Sequence, residues 1–183
     1  KAQDALIKMH DRRIREDESS WLLLAFYDPT VETESMEGLP TNRLFEDLGV
    51  AYLRDSWNEG VPLFMFKCGP YGGFRLNEYR HSVGDAKYIS VAHDDPDANS
   101  FSLLLDGEYI AHPGIYEMPK LTANQNTILV NGKGQIGEGK GYSQPIKGVD
   151  MRTLSYLTTW KYDEKTGRTI IEGEAGNAYK QLE

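Results

Sequence analysis

The stretch SFSLLLDGEYIA, residues 100–111, decides the fold class of this chain. Two short runs rich in apolar residues, 100–105 and 108–111, flank the dipeptide Asp106-Gly107. Asp-Gly between two such runs is a strong signal for a β-hairpin. The stretch therefore predicts two antiparallel strands joined by a tight turn.

Short apolar runs bounded by turn-forming residues recur along most of the chain. The runs Val50–Arg54 and Leu63–Lys67 are short and bounded by Gly, Pro or Asn, as strands are. Residues 127–130 precede Asn131-Gly132, a second hairpin signal. Near the C-terminus, LSYLTTWKY and RTIIEGEA flank DEKTG, in which Gly167 is suited to a positive φ angle. The pattern predicts a mainly β fold, an antiparallel β-sandwich or pair of stacked sheets.

The N-terminal part of the chain has a different character. Residues 2–27 contain no Gly or Pro and carry apolar residues at helical spacing, until Asp28-Pro29 stops the pattern. We therefore expect a short N-terminal helical segment over residues 1–29. An irregular connector over 30–45 and an antiparallel β-sandwich domain over 46–183 are expected to follow.

The composition limits the possible functions. The 183 residues carry a net charge of −8 without a local basic patch, which argues against a nucleic-acid partner. The single cysteine, Cys68, excludes an internal disulfide and a multi-thiolate zinc site. No stretch reaches the ~20 apolar residues that a membrane span needs. The glycine-rich segments 69–73 and 131–142 lack the pattern of a nucleotide loop, and we expect the second to be a long flexible hairpin end.

The segment AHDDPDANSFSL, residues 92–103, places one histidine and three aspartates ahead of a strand. A hairpin folded at residues 106–107 brings the residues before its first strand beside those after its second. Asp95 and Asp97 should then lie near His112, and imidazole with carboxylate suits zinc or manganese. The alternative is an ordinary acidic turn and bend, because Asp95-Pro96 and His112-Pro113 also fit turn geometry.

Two other positions suggest substrate contacts. His93, beside a cleft, would be able to neutralise or protonate a substrate carboxylate. Arg80 and His81 lie in EYRHSVGD, which we expect to be a polar loop where the basic pair meets a carboxylate. A plain surface loop is the alternative there.

Four stretches in register resemble the heparinase II/III-like polysaccharide lyases. They are FKCGPYGG (66–73), AHDDPDANSFSLLLDGEYIA (92–111), Pro113-Gly114 and LTANQNTILVNGKGQ (121–135), within a similarity that covers roughly residues 45–175. In addition, WLLLAFYDP (21–29) is similar to the end of the last helix in the (α/α) toroid of that family. The resemblance implies a lyase that cleaves uronate-containing polysaccharide, alginate or glycosaminoglycan, by β-elimination.

The resemblance also implies roles for single residues. His93 matches the catalytic histidine that faces the substrate. Asp95, His112 and Gln125 match the metal ligands, although the first two have exchanged ligand types and Gln125 stands where histidine is common. The implied cofactor is therefore a divalent metal, with zinc, manganese and calcium all open.

The family resemblance further implies that this chain is part of a larger α+β lyase. The rest of the toroid, with the catalytic tyrosine, would precede it, and further strands would complete its truncated sandwich. We therefore expect the isolated chain to be inactive and the whole protein to be secreted or periplasmic in a bacterium. The alternative function is a noncatalytic carbohydrate-binding or structural β-sandwich, with four candidate stacking aromatics, Trp57, Tyr71, Tyr79 and Trp160.

Overall fold

The computed structural model divides into two compact units, Lys1–Pro40 and Thr41–Glu183. It describes residues 25–26, 28–32, 35–84, 93–112, 114, 119–139, 146, 149–163 and 165–182. Most of the helix predicted over residues 2–27 lies outside the described residues. The fold described below belongs to the second unit.

A five-stranded antiparallel sheet forms the larger part of this unit. Its strands follow each other in sequence order: β1 (Asn42–Phe45), β2 (Val50–Arg54), β3 (Leu63–Lys67), β4 (Ser100–Leu105) and β5 (Glu108–Ala111). The last four are the runs that the sequence marked as strands. The predicted hairpin turn between β4 and β5 is confirmed, since Asp106 and Gly107 have φ angles of 51° and 79°.

Strand β1 lies inside the segment that was expected to be an irregular connector. It pairs with β2 through a tight turn in which the Leu48 amide donates to the Phe45 carbonyl over 3.1 Å. Gly49 closes the turn with a φ angle of +63°, and a Cβ there would overlap the Cys68 carbonyl oxygen. This close approach between the start of β2 and the end of β3 requires glycine. Pairing with β2 thus makes residues 42–45 a strand.

The second sheet is the predicted C-terminal hairpin. Strands β6 (Tyr156–Asp163) and β7 (Arg168–Glu174) pair antiparallel, with a register shift between Leu157 and Thr159. Gly167 adopts a φ angle of +65° in the turn, and its amide donates to the Asp163 carbonyl over 2.8 Å. With two antiparallel sheets and one short α-helix among the described residues, the mainly β class is confirmed.

Helix α1 (Phe74–Val83) replaces the polar loop that the sequence predicted around Arg80 and His81. Its start is capped by Asp47, which lies 28 residues from Arg75 and accepts that residue's amide hydrogen on Oδ1 over 2.8 Å. The buried Asn77 side chain donates to the carbonyls of Tyr71 and Gly73, 2.7 Å each. The loop prediction was wrong because the cap comes from a distant residue and no local cap marks the helix.

Residues 119–139 have little regular structure, but several side-chain hydrogen bonds hold them in place. A 3-10 helix spans Thr122–Asn124, and the predicted turn at Asn131-Gly132 is present with a single bridge between Val130 and Lys133. The Glu138 carboxylate accepts the amide hydrogens of Thr122 and Gly134 over 3.0 and 3.1 Å. These bonds close residues 131–139 into an ordered loop instead of the expected flexible hairpin end.

The hydrophobic core lies where these segments meet. It joins the end of β3, the turn before β4, the ordered loop and the 3-10 helix Gly176–Leu182. Its buried members are Cys68, Tyr71, Ala98, Ile136, Met151, Leu154, Ala175 and Ala178. Such a core unites residues far apart in sequence, so it forms only when the two sheets and the loops come together.

Cys68 gives a pH-dependent test of this core. The thiol is fully buried and donates to the Tyr156 and Glu174 carbonyls, at 3.3 and 3.4 Å. Burial raises the pKa of Cys68 to about 11, and amide hydrogen bonds from Asn99 and Tyr156 oppose the shift. Because thiolate is the reactive form, we expect the folded protein to resist iodoacetamide at about pH 8 and the urea-unfolded protein to react. Equal labelling of the folded and unfolded protein, measured by mass spectrometry, would contradict the burial of Cys68.

The same shift predicts a loss of stability in alkali. The thiol's pKa rises from 9.0 in the unfolded chain to about 11 in the folded one, so folding retains a proton. Its contribution to stability is complete below about pH 9 and disappears as the pH rises towards 11. Urea unfolding of Cys68→Ala, which lacks the thiol, should show a smaller decline over that range.

Candidate functional site

The turn that leads into β4 carries three carboxylates beside two lysines, and we call Lys67, Asp94, Asp95, Asp97 and Lys120 the charge cluster. Lys67 Nζ lies 2.7 Å from one Asp97 carboxylate oxygen and donates to the other over 2.9 Å. It also lies 3.9 Å from Asp94 Oδ1. Lys120 Nζ donates to the Asp94 carbonyl over 2.6 Å and lies 3.9 Å from Asp95 Oδ1. Two ammonium groups therefore contact three acidic residues of one turn.

The charge cluster is shielded from water. Side-chain exposure ranges from 5% for Lys120 to 27% for Asp94. Burial by itself would lower the pKa of Lys67, but the carboxylates, Asp97 foremost, raise it above its ordinary value. Burial raises the pKa of Asp94 and Asp97, and the charge of Lys67 opposes that shift. The lysine thus keeps its proton because the acidic groups surround it.

Gln135 anchors the same turn from the opposite side. Its side chain is 1% exposed, accepts the Ala98 amide hydrogen over 2.9 Å and donates to the Ala98 carbonyl over 2.8 Å. The same amide group donates to the Tyr179 hydroxyl over 2.9 Å, and Thr127 donates a further hydrogen bond to the Ala98 carbonyl. Asn99, with a φ angle of 56°, donates to the Gly173 carbonyl of β7. The turn is therefore fixed by both sheets and by the ordered loop.

Three stretches that carry the family resemblance meet at this turn. The Tyr71 hydroxyl, from residues 66–73, donates to the Ile136 carbonyl over 2.6 Å. Lys67, from the same stretch, contacts Asp97, and Gln135, from the 121–135 stretch, binds the Ala98 backbone. The stretches are far apart in sequence, yet their side chains share one buried polar centre.

His93 stands exposed at the edge of this centre. The next two residues, Asp94 and Asp95, are half-buried and Pro96 is buried, so the chain enters the interior directly after the imidazole. An exposed side chain on a firmly held turn is what a group that meets a substrate needs. The structure thus places the predicted catalytic residue at the surface of the charge cluster.

The two predicted substrate contacts lie on α1. Arg80 donates to the Asn77 side chain over 3.2 Å, and His81 is exposed. Arg152 is the main cause that lowers the pKa of Asp150 to about 2, and the charge of His81 adds to this effect. His81 therefore lies near an exposed Asp150–Arg152 ion pair in which nitrogen and oxygen are 2.7 Å apart.

The three predicted metal ligands make separate contacts. Asp95 is nearest to the Lys120 ammonium, the Gln125 amide oxygen accepts the Gly114 amide hydrogen over 3.0 Å, and the His112 ring packs 4.8 Å from the Tyr109 ring. Among the residues that the structure describes, no group of three or more His, Cys, Asp or Glu side chains is arranged to hold a metal ion. Each of the three predicted ligands therefore has a different contact partner.

Strand register places the end of β5, just before His112, opposite the middle of β4. Ala111, the last residue of β5, pairs with Leu103 in the middle of β4, after a register shift between Leu103 and Leu104. The His112 carbonyl accepts a hydrogen bond from Asn126, which also donates to the Phe101 carbonyl. Strand β5, with four residues, is shorter than β4, with six.

The four aromatic residues considered as sugar platforms have different surroundings. Tyr71 is buried in the core and Trp160 is half-buried in β6. The Arg54 guanidinium stacks over the Trp57 ring at 4.6 Å from its centroid, and Tyr79 is exposed on α1. The four rings therefore differ in exposure and in the residues that they contact.

A cleft of about 400 Å³ opens between the five-stranded sheet and the β6–β7 hairpin. Its lining combines the apolar residues Leu53 and Phe64 with the polar residues Asn42, Asp55 and Thr169. None of the predicted catalytic or metal-binding residues lines it. The cleft is therefore a second feature, separate from the charge cluster.

Comparison with known protein families adds no assignment, since no family model matches this chain. Within the described part of the chain, no helix combines the length and apolar character that crossing a bilayer requires. The site thus has to be interpreted from its own geometry.

Sequence reasoning missed Lys67, Lys120 and Gln135. Lys67 is the last residue of the apolar strand β3 and pairs there with the buried Ser100. A lysine at the end of such a strand was a signal that its charge has a buried partner. No local signal marks Lys120 or Gln135, because both contact residues more than 25 positions away.

Gln135 gives a direct test of how the turn is anchored. Gln135→Leu keeps the volume of the side chain but leaves the amide and carbonyl of Ala98 without this partner. We expect a loss of about 2–4 kcal/mol in the free energy of unfolding, measured by urea denaturation. The matched control, Gln125→Leu, removes one hydrogen bond at a half-buried position and should cost about 1 kcal/mol. Equal losses for the two variants would contradict the anchoring role.

Proposed function

We propose that this chain is part of a polysaccharide lyase that cleaves a uronate-containing polysaccharide by β-elimination, with His93 acting on the substrate. The observation that carries the proposal is the exposed imidazole of His93 on a turn that the charge cluster and Gln135 hold firmly. The meeting of the stretches that resemble the lyase family at this turn supports it further.

The chemistry of β-elimination suits such a group. A base removes the proton at C5 of the uronate, the C4–O bond breaks as the C4–C5 double bond forms, and an acid gives a proton to the departing oxygen. Imidazole exchanges protons near neutral pH, so His93 is suited to one of these transfers. A fixed backbone restricts where the imidazole meets the sugar and so lowers the entropic part of the barrier.

The substrate carboxylate also has to be neutralised so that the C5 proton becomes acidic. Lys67 and Lys120 are buried beside the aspartates, and that arrangement does not present them to a polymer. Arg80 and His81 on α1 remain the proposed contacts for the carboxylate. Their helix begins directly after the stretch 66–73 and is tied to it through Asn77.

Replacement of His93 tests the proposal in the full-length protein that contains this chain. We expect His93→Ala and His93→Gln to lower the rate of unsaturated-uronate formation roughly 100-fold or more on the accepted polymer, because general acid–base catalysis is lost. The assay follows the absorbance of the unsaturated product on a panel of alginate and glycosaminoglycans. Added imidazole should restore part of the activity of His93→Ala.

The control is Lys161→Ala, an exposed position on β6, which should leave turnover unchanged. Folding of each variant is checked by circular dichroism, since a misfolded variant would also lose activity. Wild-type turnover in both histidine variants would remove His93 from the mechanism. Absence of product from every uronate polymer with the folded full-length protein would reject the lyase activity itself.

A second candidate is a noncatalytic carbohydrate-binding role, which the cleft beside the β6–β7 hairpin favours. A mixture of polar and apolar lining residues suits a sugar, and the exposed Tyr162 is among the residues that line the cleft. Binding of oligosaccharide that persists in His93→Ala but is lost in Tyr162→Ala, measured by calorimetry, would favour this role.

A further inference from the structure

We propose that Lys67 and Lys120 supply the positive charge that holds the acidic turn 94–97 in place, and that this turn binds no divalent metal. The proposal does not depend on the lyase activity, because it concerns how the turn itself is held.

Lys67 occupies the place that a cation would take at Asp97. Its ammonium lies within 2.9 Å of both oxygens of the carboxylate, so a metal ion would have to displace it to bind that group in bidentate fashion. The backbone of Lys67 is fixed, because β3 is a central strand that pairs with β2 and β4. A fixed ammonium with 18% side-chain exposure therefore neutralises the buried carboxylate.

Lys120 does the same on the other side of the turn. It is 5% exposed, contacts the Asp94 carbonyl and lies 3.9 Å from Asp95, the one predicted metal ligand in this turn. A divalent ion bound at Asp95 would stand close to this ammonium and be repelled by it. Movement of this ammonium into water would break the hydrogen bond to the turn backbone.

The remaining predicted ligands do not supply what the ion would need. Calcium takes six to eight oxygen ligands and zinc takes four ligands in a tetrahedron. Gln125 uses its oxygen on the Gly114 amide, and register places His112 beside the middle of β4. Asp95 would therefore stand without the partners that the metal hypothesis assigned to it.

The test compares metal content and thermal unfolding of the purified wild-type protein. We expect elemental analysis to find far less than one equivalent of zinc, manganese or calcium, and we expect EDTA to leave the Tm unchanged. One equivalent of metal, together with a lower Tm after EDTA treatment, would overturn the proposal.

Lysine variants then test the charge. Lys67→Met leaves a buried carboxylate without its partner and should lower the Tm by roughly 5–10 °C. Lys67→Arg keeps the charge and should lower the Tm less, while Lys161→Met, at an exposed position, should have the Tm of the wild type. A Tm of Lys67→Met equal to that of Lys161→Met would overturn the role of Lys67.

Two aspartate variants keep the proposal testable if Lys67→Met fails to fold. Asp97→Asn weakens the close pair with Lys67, whereas Asp95→Asn removes only a contact of 3.9 Å to Lys120. We expect Asp97→Asn to lower the Tm more than Asp95→Asn does. The metal hypothesis requires Asp95→Asn to be the more damaging of the two, and that order would overturn the proposal.

Discussion

The buried pair of Lys67 and Asp97 is the interaction on which this structure most depends. An isolated charge inside a protein costs several kcal/mol, so each of these groups is acceptable only because the other lies beside it. The pair joins the end of β3 to the turn before β4, two elements that flank the core residues Cys68 and Ala98. The sheet, the turn and the core are thereby placed by one charge contact.

The neighbouring contacts extend that arrangement to the rest of the unit. Lys120 and Gln135 bring the ordered loop against the turn, and Asn99 brings β7 against it. The C-terminal 3-10 helix joins through Tyr179, which accepts from Gln135 and donates to the Ile128 carbonyl. A buried polar centre costs free energy when some of its groups lack hydrogen-bond partners. It therefore favours the one arrangement of the loops that supplies those partners. That is how an exposed imidazole at position 93 obtains a rigid support.

Local patterns predicted most of the strands. Strands β2 to β5 match the marked runs, and both predicted turns with Gly107 and Gly167 adopt the expected positive φ angles. Prediction failed where a distant residue supplies the decisive contact. Helix α1 depends on Asp47, and the loop 131–139 is ordered by Glu138. The register shift in the β4–β5 hairpin, which sets the end of β5 opposite the middle of β4, was not visible in the spacing of residues.

The sequence by itself determined that this chain is mainly β, where most of its strands lie, and that residues 92–103 place a histidine and three aspartates directly before a strand. Alternation and turn residues act over a few positions, so they can be seen in a short stretch. Only the tertiary structure decided which groups neutralise the acidic turn. Lys67 and Lys120 reach it from 30 and 26 residues away, and burial makes their charges necessary. Burial is a property of the packed chain, since it depends on segments that meet only after folding.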